Sequence, residues 1–198
     1  ILLVIFGLSS YTLDAFAHSA ESTVGVSIGS KNKEKIIEDF ESIYPSIEVG
    51  EYANKNLRQV ELPFNEKYDV TVENDEGLNE IIQLNPFVMG RLKSNPFKLS
   101  NRTYPVDFGY KRERSYYITL DIPKGYKVSS LPTNKSLRLP EKGGVLIFNV
   151  VQKNNQIVVY LKYSINKPVF LSDNYPYLKE FYNQIFKTKN SIIELKKL

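Results

Sequence analysis

Residues 95–110 constrain this chain more than any other stretch. Asn95-Pro96-Phe97-Lys98-Leu99-Ser100-Asn101-Arg102-Thr103-Tyr104-Pro105-Val106-Asp107-Phe108-Gly109-Tyr110 sets two prolines and a glycine among four aromatics. Proline locks φ, lacks a donor and drives the residue before it, here Asn95 and Tyr104, out of the α region. Neither a regular helix nor a long strand absorbs that pattern. The segment is therefore expected to be an irregular crossover that packs Phe97, Tyr104, Phe108 and Tyr110 against its neighbours. Irregular backbone beside a core must satisfy its own polar groups. Arg102 and Asp107 flank Tyr104-Pro105, and two roles are open for them: a ligand clamp, or an ion pair or hydrogen bonds that hold the bend.

Strand signals surround the crossover. Residues 47–52 and 68–72 alternate, the latter with Asp69 and Thr71 on the outer face, and residues 80–84 form a short apolar run. A long strand is expected over 114–122. Pro123-Lys124-Gly125 turns it into a strand over 126–131, since proline pre-sets φ and glycine is free at positive φ. Residues 136–139 read as a short strand stopped by Pro140. Gly143-Gly144 reads as the turn that opens 145–151. Asn154-Asn155 is a two-residue hairpin signal leading into 156–165, and 191–195 reads as a last short strand. Turn signals at such regular spacing belong to a meander or sandwich.

Two segments carry helical spacing instead. Over 31–44, capped by Ser30 and ended by Pro45, Ile36, Ile37, Phe40, Ile43 and Tyr44 recur on one side. Over 174–189, Leu178, Phe181, Tyr182 and Ile185 do the same, with Pro176 tolerable because it falls in the first turn. The expected class is mainly β with α (α+β): an antiparallel β-sandwich-like domain with helices at about 31–44 and 174–189. The domain reading is an apolar segment over 1–20 and one β-rich domain over 21–198, open to division into two sub-parts near 85–105.

The run Ile1-Leu2-Leu3-Val4-Ile5-Phe6-Gly7-Leu8 is too short to cross a membrane, which takes about 20 apolar residues. Two readings stay open. It is either the apolar region of a signal peptide, with Ala15-Phe16-Ala17 as a small-x-small cleavage site, or a strand of a longer protein cut short. Both fit an extracytoplasmic protein, periplasmic or secreted.

The 198 residues contain no cysteine and one histidine, His18. A thiolate nucleophile and a zinc–sulfur site are thereby excluded from this chain, and a nucleophile–histidine pair has one candidate base at most. His18 lies far in sequence from the expected core, so no catalytic residue is assigned and the chain reads as a non-enzyme. Asp69, Glu73, Asp75 and Glu76 cluster in sequence but lack the spacing of a calcium loop, and Asn74-Asp75-Glu76-Gly77 reads as an acidic turn. Gly143-Gly144 lacks the context of a phosphate-binding loop. No metal or cofactor is expected. The net charge of +4 and pI near 9.0 come from lysines interleaved with acids, not from the clustered stripe that nucleic acid requires. Tyr116, Tyr117, Tyr160 and Tyr163 could form an aromatic platform for a peptide or glycan, but alternation sends Tyr116 and Tyr117 to opposite faces, and core packing competes.

Several stretches also carry a family resemblance. Besides residues 95–110, these are Ile122-Pro123-Lys124-Gly125-Tyr126-Lys127-Val128, Ser130-Leu131-Pro132 and Asn174-Tyr175-Pro176-Tyr177-Leu178-Lys179-Glu180-Phe181-Tyr182. Upstream, Lys33-Glu34-Lys35-Ile36-Ile37-Glu38-Asp39-Phe40 and Pro63-Phe64-Asn65-Glu66-Lys67-Tyr68 join them. Over about 31–198 the chain resembles the C-terminal β-rich domain of unknown function that follows the transglutaminase-like core of large exported bacterial proteins. The resemblance implies a non-catalytic accessory domain whose partner is a transglutaminase-like catalytic domain in the same or a related chain. Its motifs are structural and bring no catalytic residue. The rival reading is an independent extracytoplasmic module that binds a peptide or glycan of its own.

Overall fold

The computed structural model describes residues 7–11, 34–35, 37–38, 41–42, 47–56, 59, 62–72, 80–87, 92 and 94–198. The strands are β1 Gly7–Tyr11, β2 Ile47–Lys55, β3 Phe64–Val72, β4 Ile81–Leu84, β5 Val106–Asp107 and β6 Arg112–Asp121, followed by β7 Tyr126–Ser130, β8 Lys135–Arg138, β9 Gly144–Lys153, β10 Gln156–Ile165, β11 Val169–Phe170 and β12 Ile193–Lys197. One long helix, α1, spans Tyr175–Lys189. The strands form a seven-stranded sheet in the order β2-β3-β1-β6-β10-β9-β8, a three-stranded sheet β4-β12-β7 and a two-stranded ladder β11-β5. Every pairing among the described residues is antiparallel. The α+β class expected from the alternation is what the chain adopts.

The pleat explains which face is buried. On β9, Leu146, Phe148 and Val150 point inward, and on β10 the inward set is Ile157, Val159, Leu161, Tyr163 and Ile165. Tyr116, Ile118 and Leu120 continue that face on β6. The helix covers it with Leu178, Phe181 and Ile185, and the small sheet adds Ile82, Tyr126, Ile193 and Leu195 to the same apolar cluster. Each such side chain contributes on the order of 1.5–3 kcal/mol when removed from water. Packing is reinforced across layers: Lys135 Nζ on β8 donates to Gln184 Oε1 on α1 at 3.3 Å.

The turns follow their residue types with one exception. Asn154 takes φ 55° between β9 and β10, and Gly125 takes φ 81° between β6 and β7, where Tyr126 N donates to Pro123 O at 3.1 Å. At Gly143-Gly144 the expectation is corrected. The positive φ values fall on Glu141 and Lys142, within the 3₁₀ turn Pro140–Lys142, while Gly143 is right-handed at φ −63°. The glycines are needed for closeness instead. A Cβ on Gly143 would lie 2.8 Å from Phe170 Cε1, and one on Gly144 would lie 2.5 Å from the Ser164 carbonyl oxygen.

Residues 34–35, 37–38 and 41–42 are helical, and the rest of the helix expected over 31–44 lies outside the described residues. Ile37 packs on the core, and Glu41 Oε1 accepts from Val49 N at 2.9 Å. Of the apolar N-terminal stretch, Gly7–Tyr11 forms β1. Residues 1–6, the Ala15-Phe16-Ala17 sequence and His18 lie outside the described residues. Among the described residues no helix is long and apolar enough to cross a membrane.

Candidate functional site

The crossover runs from residue 94 to residue 111 and is held from both sides. Asn95 straddles two elements: its Nδ2 donates to Lys179 O on α1 at 2.8 Å, and its Oδ1 accepts from Phe97 N at 2.9 Å. Tyr175 OH donates to Leu99 O at 3.1 Å, and Lys179 Nζ donates to the same carbonyl at 2.8 Å. The far end is tied by the β5–β11 ladder, where Val106 pairs with Phe170 and Asp107 with Val169.

The aromatics form a box between the crossover, β11 and α1. Phe97 meets Tyr182 edge-on at 4.9 Å and Tyr175 at 5.8 Å, while Phe108 stacks on Tyr182 at 6.3 Å and meets Phe170 edge-on at 5.8 Å. Aromatic pairs in these geometries add about 0.5–1.5 kcal/mol beyond their buried area. Burial pushes the Tyr182 hydroxyl up to about 12, with Tyr163 adding to the rise and Arg112 and Arg114 opposing it. Tyr104 departs from the expectation that all four crossover aromatics pack. It is 78% exposed.

Arg102 and Asp107 do not bond to each other. Among the described residues no ion pair joins them. Arg102 Nε donates to Tyr104 O at 3.1 Å, and Asp107 Oδ1 accepts from Gly109 N at 2.7 Å, where Gly109 takes φ 75°. Each side chain serves the loop's own backbone, and both are exposed. The cation that grips the crossover is Arg112 at the start of β6. Its Nη2 donates to Phe108 O at 3.0 Å, and its guanidinium lies 5.3 Å from the Phe108 ring centre and 4.7 Å from that of Tyr110.

Between the crossover and α1 lies a cleft of about 480 Å³, walled by Ser94, Lys98, Ser100, Pro176, Glu180 and Asn183, with Phe97 among its lining residues. Its one acid, Glu180, accepts from Gln184 Nε2 at 2.7 Å and Asn183 Nδ2 at 3.1 Å. These bonds hold its carboxyl below the ordinary range. The cleft is lined by hydroxyls, amides and both signs of charge, and its walls are fixed by the cross-wall hydrogen bonds above.

The tyrosines divide as the pleat requires. Tyr116 and Tyr163 are buried, while Tyr117 is exposed and Tyr160, directly opposite it on β10, is half-buried. Below this sheet lies the group that sequence reasoning missed. Lys189, the last residue of α1, is 0% exposed. Its Nζ lies 2.7 Å from Tyr116 OH, 4.1 Å from the Tyr116 ring centre and 5.3 Å from that of Tyr163. Burial pushes the amine down to about 7, and Arg114 adds to the fall. A signal for it was present, since Lys189 sits four residues after Ile185 and so continues the apolar stripe of the helix.

Of the acidic cluster, Asp69 is described on β3 and bonds to Lys67 at 3.5 Å; Glu73, Asp75 and Glu76 lie outside the described residues. Among the described residues no group of three or more histidine, cysteine or carboxylate side chains is placed to hold a metal.

A family profile described as a domain of unknown function with a solved structure, DUF3858, matches residues 79–195. A crystal structure of a protein from Parabacteroides distasonis ATCC 8503, provisionally described as a protease, is similar with a TM-score of 0.49 and 14% sequence identity. The similarity covers 59% of this chain and 23% of that one. No curated protein matches the chain.

Proposed function

The chain belongs to the DUF3858 family, and from that premise we infer that it is a non-catalytic accessory domain of an extracytoplasmic, transglutaminase-like protein. Its partner is the catalytic domain, in the same or a related chain. One observation carries this reading. Around the junction of crossover and helix, Leu99, Tyr104, Leu171 and Tyr177 are each more than half exposed, while the neighbouring Arg102 and Lys179 bond to backbone carbonyls. Large apolar side chains left outward on adjoining segments are what a contact surface for another protein needs. Leu99, Tyr104 and Tyr177 of that surface fall within residues 95–110 and 174–182, two of the stretches that carry the resemblance. The complete absence of cysteine leaves this chain no thiol with which to attack an amide.

The test pairs the purified chain with the transglutaminase-like core encoded with it. The chain alone should turn over no amide substrate, and adding it should raise the melting temperature of the core. A Tyr104→Ser/Leu171→Ser variant should lose that effect. Amide turnover by the homogeneous chain would overturn the reading, and so would a core indifferent to its presence. Fractionation of the native host tests the placement, and recovery of the protein only from cytoplasm would refute it.

The cleft favours a second reading, a module that binds a peptide or glycan. Walls bearing hydroxyls, amides, two lysines and an ionised carboxylate suit a short polar chain. Calorimetric titration with cell-wall oligosaccharides and with short peptides distinguishes it from the first, since saturable heat lost in Asn183→Ala would belong to this reading alone.

A further inference from the structure

The chain leading from the crossover into β6 carries an unbalanced charge. From residue 102 to residue 114 there are four basic side chains, Arg102, Lys111, Arg112 and Arg114, and two acidic ones, Asp107 and Glu113. Both acids are engaged elsewhere: Asp107 Oδ1 accepts from Gly109 N at 2.7 Å, and Glu113 Oε1 meets Lys162 Nζ at 2.7 Å. Among the described residues no carboxylate pairs with Arg112. Arg112 is exposed, yet its position is fixed by the Phe108 carbonyl at 3.0 Å from Nη2 and by the rings of Phe108 and Tyr110 at 5.3 and 4.7 Å. A guanidinium has five N–H donors, and that backbone bond takes one of them. A fork held before its ligand arrives loses little freedom on binding. Arg114 is exposed as well, and it leaves β6 on the same face as Arg112, because alternate residues of a strand share a face. Both arginines act on the Tyr182 hydroxyl, whose burial-driven rise they oppose.

We propose that Arg112 and Arg114 form a carboxylate-binding site for an extended acidic peptide with acids at alternate positions. A guanidinium pairs with a carboxylate through two parallel N–H···O bonds. Residues two apart in an extended chain lie about 6.4–6.8 Å apart, so acids at alternate positions of a peptide repeat at the spacing of residues 112 and 114. Arg114 need not be unpaired for this, since one partner leaves other donors of its fork to bind. Tyr110, exposed beside Arg112, offers a ring to the rest of the peptide. The excess of positive charge around the site draws an acidic partner and repels a basic one. The inference stands apart from the accessory-domain reading, because it uses none of Leu99, Tyr104, Leu171 and Tyr177.

The experiment titrates the full chain at low ionic strength with the synthetic peptide acetyl-Ser-Glu-Ser-Glu-Ser-amide. The same peptide with its glutamates adjacent, acetyl-Ser-Glu-Glu-Ser-Ser-amide, and inorganic phosphate are titrated beside it. The alternating peptide should bind saturably, the adjacent one more weakly by roughly fivefold, and phosphate more weakly than either. Arg112→Lys keeps the charge but loses the fork, and should weaken the alternating peptide by roughly tenfold. Lys127→Gln removes an exposed charge from β7, on the three-stranded sheet, and should change binding by less than about twofold. Equal affinity for the two glutamate peptides would overturn the proposal, and that comparison needs no variant to fold. Phosphate binding as tightly as the alternating peptide would mean that the site takes a lone anion. Unchanged binding in Arg112→Lys, or equal weakening in Arg112→Lys and Lys127→Gln, would reduce the effect to general charge and overturn the site. So would the absence of saturable binding by the alternating peptide.

Discussion

The side-chain nitrogen of Lys189 lies 2.7 Å from the hydroxyl of Tyr116, inside the core. The contact joins the C-terminal end of the helix to the centre of the large sheet. An amine has three hydrogens to place when charged, and removing it from water without full compensation costs several kcal/mol. Tyr116 offers one acceptor oxygen and a π face, and Tyr163 a second face. Burial favours the neutral amine, and the same helix turn carries Lys187, which stays at the surface where it suits the helix dipole.

Stability should rise with pH between about 7 and 10 on account of Lys189. Its amine is pushed from 10.5 to about 7 by burial, with Arg114 adding. Within that window the unfolded chain holds the proton and the folded chain does not, so stability is lost as pH falls toward 7 and the slope ends below it. Tyr52 and Tyr182, both pushed up to about 12 by burial, act in the opposite sense only above about pH 10. Denaturant midpoints at about pH 7.5 and 9.5 check this. The parent should be more stable at the higher pH, and Lys189→Met should narrow the difference; an equal difference in both proteins would refute it.

Asn95→Ala should destabilise the fold by about 1–3 kcal/mol, because the change leaves Lys179 O and Phe97 N without their side-chain partner in a part-buried site. Ser94→Ala, one residue away and exposed, should stay within about 0.5 kcal/mol. Urea melts of the two variants decide it, and equal midpoints would show that the crossover is held by its aromatics alone.

Gly144 and Gly125 should fail for different reasons. At Gly144 a Cβ meets the Ser164 carbonyl at 2.5 Å and Leu139 Cδ1 at 2.9 Å, an overpacking cost of about 1–3 kcal/mol for alanine that grows with side-chain size. At Gly125 the space is open but φ is +81°, a strain of about 1–2 kcal/mol for alanine. Asparagine tolerates that conformation, so Gly125→Asn should recover stability relative to Gly125→Ala, while Gly144→Asn should be worse than Gly144→Ala. Thermal melts of the four variants give the ordering.

Arg102 and Asp107 should show no energetic coupling. Each bonds to backbone inside the loop, Arg102 to Tyr104 O and Asp107 to Gly109 N, and both are exposed. Single replacements by alanine should cost under about 1 kcal/mol, and the double mutant should equal their sum within about 0.5 kcal/mol. A larger interaction in the double-mutant cycle would establish the ion pair that the geometry lacks.

Much of this architecture could be read along the chain because its causes are local. Alternation placed β9 and β10, Asn154 marked the hairpin between them, and the stripe Leu178, Phe181, Tyr182 and Ile185 placed the helix with Pro176 in its first turn. These signals rest on rotation per residue and on backbone freedom, which neighbouring residues set by themselves. Asp107 and Arg102 were also recognisable as residues that serve the bend, since prolines and a glycine leave backbone groups without ladder partners.

What the chain alone did not disclose depends on contacts between segments distant in sequence. Gly143 and Gly144 looked like a turn, yet their absent side chains make room for Phe170 and for the backbone of β10. Tyr104 was expected to pack with the other crossover aromatics, but the folded crossover leaves it outside. Lys189 became buried because the helix had to end over β6 and β10. The sequence determined where strands, turns and helix form, because those choices are made within a few residues of the chain. Only the tertiary structure decided which polar groups enter the core and which aromatics leave it, because burial belongs to the packing of layers and not to any one of them.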